Sequence, residues 1–136
     1  MVRSVKPTKT RLMNRIIKFR AWDEKKKEFV WDFSLDARGD VRTAHTGLGY
    51  EALHETKVHL MQFTGLKDKS GKDIYEGDIV RDWENIDRYK VVWNDHWACF
   101  ELERITHAND TTEEIDRASF DLEIIGNIYE TPELLK

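Results

Sequence analysis

Little in the chain suggests covalent or catalytic machinery. It has one cysteine, Cys99, among 136 residues, so no internal disulfide can form, which fits a reducing compartment. No apolar run approaches the roughly 18 residues that span a bilayer. The first dozen residues are basic but have no apolar stretch behind them, so a secretory leader is not expected and the cytoplasm is the default location. There is no internal repeat and no low-complexity tract. Walker-type, GxGxxG and GxSxG patterns are absent, which removes the usual sequence support for phosphate cradling or a hydrolase nucleophile. His45, His54, His59, His96 and His107 are scattered without an HxH or HxxxH pair, and a single cysteine leaves no Cys–His zinc framework. No cofactor is expected.

What remains is enough for a core. Hydrophobic residues make up 40% and aromatics 11%, with five tryptophans, so burial can drive folding despite 35% charged residues. The length suits one domain. Charge is uneven. Arg3, Lys6, Lys9 and Arg11 stand in residues 1–12 with no acid, so an overall charge of −4 leaves −8 on the rest. A disordered basic arm at 1–12 is expected, followed by a single domain over 13–136. The acidic domain repels a phosphate backbone unless its cations are gathered on one face.

The pattern is that of strands. In the run from Arg15 to Trp22, Ile17, Phe19 and Ala21 alternate with Lys18 and Arg20. A polar break at 23–27 leads to Phe29, Trp31 and Phe33, which complete an expected N-terminal β-hairpin. A short strand is expected around Val41 to Ala44, a loop over Thr46 to Glu55, and a strand from Lys57 to Phe63. Arg88 to Trp93 and Trp97 to Leu102 flank Asn94-Asp95-His96 as the clearest hairpin. Glu123 to Tyr129 reads as a last strand, bulged at Gly126. Thr131-Pro132-Glu133 predicts a short C-terminal helix over Glu133 to Lys136.

The most informative stretch is TGLKDKSGKDIYEGDIV, Thr64 to Val80. Gly71 and Gly77 can take positive φ, and Asp78 can bind nearby backbone N–H groups where the strand at Ile79 begins. Such a start is frequent in small SH3-like barrels. The expected architecture is therefore mainly β: a small, antiparallel, partly open SH3-like barrel.

Four separated motifs give the chain a specific likeness. They are Ile17-Lys18-Phe19-Arg20-Ala21-Trp22-Asp23, Thr64-Gly65-Leu66-Lys67-Asp68, Ile74-Tyr75-Glu76-Gly77-Asp78-Ile79-Val80 and Ile125-Gly126-Asn127-Ile128-Tyr129-Glu130. In that order, and followed by Pro132-Glu133-Leu134-Leu135, they resemble the YopX family of small phage and prophage proteins. The likeness runs from Met13 to Leu135 and departs at residues 1–12. It implies a phage setting and a mainly β fold with minor helix, and it carries over no catalytic residue.

Three functional classes remain. A non-enzymatic binding or assembly module, meeting a host or phage protein, would use exposed aromatics such as Trp83, Tyr89 and Trp97. Acids at Asp82, Glu84 and Asp87 around Trp83 favour a protein partner, while Trp93 is expected in the core. A nucleic-acid reader would use Lys18, Arg20, Lys25, Lys26 and Lys27. A metal-dependent enzyme would draw on Asp73, Glu76 and Asp78, three carboxylates whose simpler role is turn chemistry. Cys99 sits mid-strand, where a small buried hydrophobe is the commoner role. Gly65, Gly71, Glu76, Gly77, Asp78, Gly126 and Asn127 are read as structural. Self-association is compatible with uncovered strand edges.

Overall fold

The computed structural model describes residues 15–45, 49–52, 58–84, 86–105, 112–115 and 121–136. The expected basic arm lies outside the described residues. Among the described residues there are twelve strands and one short 3-10 turn: β1 (Phe19–Asp23), β2 (Glu28–Val30), β3 (Phe33–Leu35), β4 (Val41–His45), β5 (Gly49–Ala52), β6 (Val58–Lys67), β7 (Asp73–Tyr75), β8 (Asp78–Asp82), β9 (Arg88–Asn94), β10 (Cys99–Arg104), β11 (Thr112–Glu114) and β12 (Leu122–Asn127). They form a four-stranded sheet ordered β2-β1-β6-β7, a five-stranded sheet ordered β11-β10-β9-β8-β12, and a three-stranded sheet β3-β4-β5. The pairings are antiparallel. The protein is mainly β, and this pairing does not by itself establish an SH3-like barrel. Among the described residues no helix is long and apolar enough to cross a membrane.

The turn between β7 and β8 stitches the two larger sheets together. Glu76 donates its N–H to the Gln62 carbonyl at 2.9 Å, reaching β6. Gly77 donates to the Val91 carbonyl at 2.8 Å and accepts from the Ile128 N–H at 2.9 Å. Gly77 manages this at φ +81, in the left-handed region that side chains with a Cβ resist. The core on the five-stranded side gathers Ile74, Val80, Tyr89, Val91, Phe100, Leu102, Ile115 and Leu122. On the other side Trp22 meets Phe29 edge-on at 5.1 Å and stacks on Tyr129 at 6.0 Å.

Three local expectations need correction. The strand foreseen through Phe29, Trp31 and Phe33 breaks at Trp31-Asp32, and its halves join different sheets. The loop foreseen from Thr46 to Glu55 contains β5, paired with β4; a ladder of backbone hydrogen bonds needs no side-chain period. The expected C-terminal helix is only a 3-10 turn, Pro132–Leu135, without a side-chain cap. Thr131 Oγ1 is diverted. It accepts the Asn127 N–H and donates to the Asn127 carbonyl, both at 3.0 Å. The bulge expected in the last strand is present, as a register shift between Ile124 and Gly126.

Asp68 seals the outer edge of β12. Its Oδ1 accepts N–H groups from Ser70 and Lys72, its Oδ2 that of Ile124, and Lys69 donates its N–H to the Leu122 carbonyl. Backbone groups that would otherwise invite another strand are thereby occupied. Burial pushes the Asp68 carboxyl up, but the N–H groups of Ile124, Lys72 and Ser70 outweigh it and hold it below the usual aspartate value. A carboxyl depressed in the folded state stabilises fully above the unfolded pKa, and that contribution drains away as pH falls through the folded value. Asp68→Asn turns an amide N–H toward the Ile124 N–H and is expected to cost about 1–3 kcal/mol at neutral pH. Urea titrations at stepped pH should show its gap from the parent protein closing below about pH 4. A gap that stays constant down to pH 2 would contradict this.

Candidate binding site

In the sequence, Lys18 and Arg20 of the expected basic patch and the carboxylates Asp73 and Asp78 stand more than fifty residues apart. The fold sets them against each other. Lys18 pairs with Asp73, which also binds Lys67 at 2.7 Å. Arg20 Nη2 binds Asp78 Oδ1 at 2.5 Å, and Asp78 Oδ2 accepts the Tyr75 N–H at 2.8 Å. The guanidinium lies 5.1 Å from the Phe29 ring centre and 4.7 Å from that of Tyr75. Burial pushes the Asp78 carboxyl up, against the Arg20 charge and the Tyr75 N–H. Two of the five cations and two of the three carboxylates are thus spent on one another. Lys25, Lys26 and Lys27 remain exposed in the β1–β2 turn. No group of three or more His, Cys, Asp or Glu among the described residues is arranged to hold a metal ion.

The remaining motif residues act on the backbone. Gly65 and Gly71 adopt positive φ of +90 and +83. Asn127 Oδ1 accepts the N–H groups of Tyr129 and Glu130, shaping the turn after β12. Gly126 lies against Thr131 and Leu134.

The aromatics divide. Tyr89, expected at the surface, is buried at 2% exposure within the core; in register it stands between Val80 on β8 and Arg104 on β10, so it offers no ring face to a partner. Trp83 is half exposed, and two cations lie against its ring. Lys69 Nζ lies 4.1 Å from its ring and the Arg81 guanidinium 5.1 Å, while its Nε1 donates to Glu123 at 2.9 Å. Trp97 is 70% exposed in the β9–β10 turn, edge-on to His96.

Trp93, expected in the core, is 39% exposed. Alternation along β9 places it on the same face as buried Tyr89 and Val91. It stands directly opposite Phe100 on β10, the two rings edge-to-face at 4.9 Å and 70°. Here the core face outruns the cover supplied by the facing sheet. The register pairs Phe19 with Gln62 and Ala21 with Leu60, putting these four on one face of the β1–β6 pair. Phe19, Leu60, Gln62 and Glu76 enclose a concavity of about 250 Å³ with Trp93 and Phe100. A second, of about 480 Å³, shares Trp93 and Phe100 and is lined by Arg15, Thr64, Leu66, Ala98, Cys99 and Ile115. Cys99 is thus half-buried at a groove wall rather than deep in the core. Among the described residues, Glu76 Oε2 accepts a single long hydrogen bond, from the Gln62 N–H at 3.4 Å. Phe19, Leu60 and Gln62 were not foreseen as site residues. Alternation marked the face of Phe19 but could not show that the opposing sheet leaves it partly uncovered.

The solved structures include a similar one, the crystal structure of protein EF1440 from Enterococcus faecalis. It is 27% identical, with a TM-score of 0.63, and the match covers 90% of this chain and 99% of that one. No curated protein matches the chain. The family model described as "YopX protein" matches residues 18–136, starting slightly later than the motifs alone suggested. With nearly the whole described fold inside that match, the chain belongs to the YopX family.

Proposed function

We propose that this protein is a non-enzymatic binding or assembly module, a phage or prophage accessory acting in the cytoplasm of the host cell. Residues 13–136 form its single working domain, and its sheets are the curled remnant of an SH3-like barrel. The observation that carries the reading is the Trp93–Phe100 pair, which lines two adjoining concavities where the core face lies open. Aromatic side chains set in a partly covered groove are typical anchors for a protein partner. Lys18 and Arg20 are neutralised by Asp73 and Asp78, which weakens the nucleic-acid alternative. Exposed Lys25, Lys26 and Lys27 keep it testable: it requires a gel shift at low ionic strength that fades steeply with salt.

The test uses a photo-reactive phenylalanine analogue at position 97, in the exposed turn beside the groove. Full-length protein bearing it should cross-link one discrete phage or host protein in infected cells. Adding Trp93→Ala should reduce that product at least roughly tenfold, the effect of losing about 1.4 kcal/mol or more at an aromatic anchor, with circular dichroism unchanged. Cross-linking that ignores Trp93→Ala would remove the groove from the function.

A further inference from the structure

We infer that the smaller concavity is a receptor for a cationic side chain, the lysine or arginine of a basic segment on a partner protein. The inference rests on the groove being the docking site, and it names the chemistry of what docks there.

Three rings, Phe19, Trp93 and Phe100, surround this concavity, with Leu60 and Gln62 between them and a single carboxylate, Glu76. No cation lines it. Aromatic faces attract a positive charge, and desolvation strengthens the attraction. A carboxylate at the same place adds the complementary charge. At about 250 Å³ the space is smaller than the roughly 300–1,000 Å³ of small-molecule sites, so it suits one long side chain whose methylenes lie along the rings.

The fold leaves this charge available. Asp73 and Asp78, the other acids of the same motif, are held by Lys18, Lys67 and Arg20. Among the described residues, the Glu76 carboxylate accepts only the long hydrogen bond from the Gln62 N–H. A neutral occupant would cover that carboxylate without pairing it, at a desolvation cost, and an anionic one would be repelled. A cation meets both the rings and the acid. Long-range electrostatics point the same way, because the chain beyond residue 12 carries −8.

The experiment titrates full-length protein with two blocked heptapeptides identical except for a central lysine or norleucine, the apolar isostere. Binding is followed by the NMR shift of the Trp93 indole N–H. The lysine peptide is expected to bind at least roughly tenfold more tightly, and Glu76→Gln should abolish that preference without moving the thermal midpoint. Equal binding of both peptides would overturn the cationic assignment while leaving the groove a docking site. Failure of both peptides to move the Trp93 signal, in the parent protein and in the variant whose arm cations Arg3, Lys6, Lys9 and Arg11 are changed to glutamine, would overturn both. Lysine-peptide binding seen only after Arg3, Lys6, Lys9 and Arg11 are changed to glutamine would identify the chain's own arm as occupant and overturn the external partner.

Discussion

Gly126→Ala is expected to be the most damaging alanine substitution among the glycines whose surroundings are described, costing about 3 kcal/mol or more. A Cβ at position 126 would lie 2.0 Å from Thr131 Oγ1, 2.9 Å from Leu134 Cδ1 and 3.1 Å from Thr131 Cβ. The leucine end can swing away. The threonine hydroxyl cannot move freely, because it accepts the Asn127 N–H and donates to the Asn127 carbonyl. Relief therefore means breaking those bonds or displacing the bulge that joins β12 to the final turn. Overpacking alone costs roughly 1–3 kcal/mol, and each lost hydrogen bond adds about 1 kcal/mol. Arg88, which donates to the carbonyls of Leu134 and Lys136, should lose those contacts as the turn shifts. Urea denaturation measures the loss directly. Combining Gly126→Ala with Thr131→Ala removes the colliding oxygen, so the double variant should be more stable than the sum of the single effects predicts. Strict additivity would show that the clash is absorbed elsewhere.

Asp78→Ala should cost about 3–5 kcal/mol, the usual result of stranding one member of a buried ion pair. Asp78 is 1% exposed and the Arg20 side chain 14%. Without the carboxylate, the guanidinium stays wedged between Phe29 and Tyr75 without that counter-charge, and its Nε already has no hydrogen-bond partner among the described residues. Asp78→Asn keeps an acceptor and the side-chain shape, so it should cost distinctly less. The pH dependence sharpens the comparison. Burial raises the folded-state pKa of Asp78, so the folded chain takes up this proton more readily than the unfolded one. Its ionised form therefore weighs against folding above the folded pKa, and protonation relieves that burden as pH falls, opposite in sign to Asp68. Accordingly, the advantage of the parent protein over Asp78→Asn should grow toward acid pH. Arg20→Met with Asp78→Ala should recover part of the single-variant loss, since an apolar pair of similar volume is often tolerated. A loss under about 1 kcal/mol for Asp78→Ala would mean that the pair is not a structural requirement.

These variants also separate the two kinds of information in the chain. Positive φ at Gly71 and Gly77, the bulge near Gly126 and the β9–β10 hairpin were legible because each depends on a few adjacent residues. β5 was missed for the converse reason: its pairing with β4 is a backbone property, and its side chains carry little period. The C-terminal helix failed because the signals at Thr131 and Pro132 were read in isolation, while in the fold the Thr131 hydroxyl is already committed to Asn127.

By itself the sequence determined the strand-forming alternation, the places where the backbone must bend, and the ordered motifs shared with the YopX family. Those follow from steric and hydrogen-bonding rules that act over a few residues. Only the tertiary structure decided that Lys18 and Arg20 would be spent on Asp73 and Asp78, that Tyr89 would be buried, and that Trp93 would stand half open above a groove. Charge pairing and exposure depend on what another segment, dozens of residues away, brings to the same point in space.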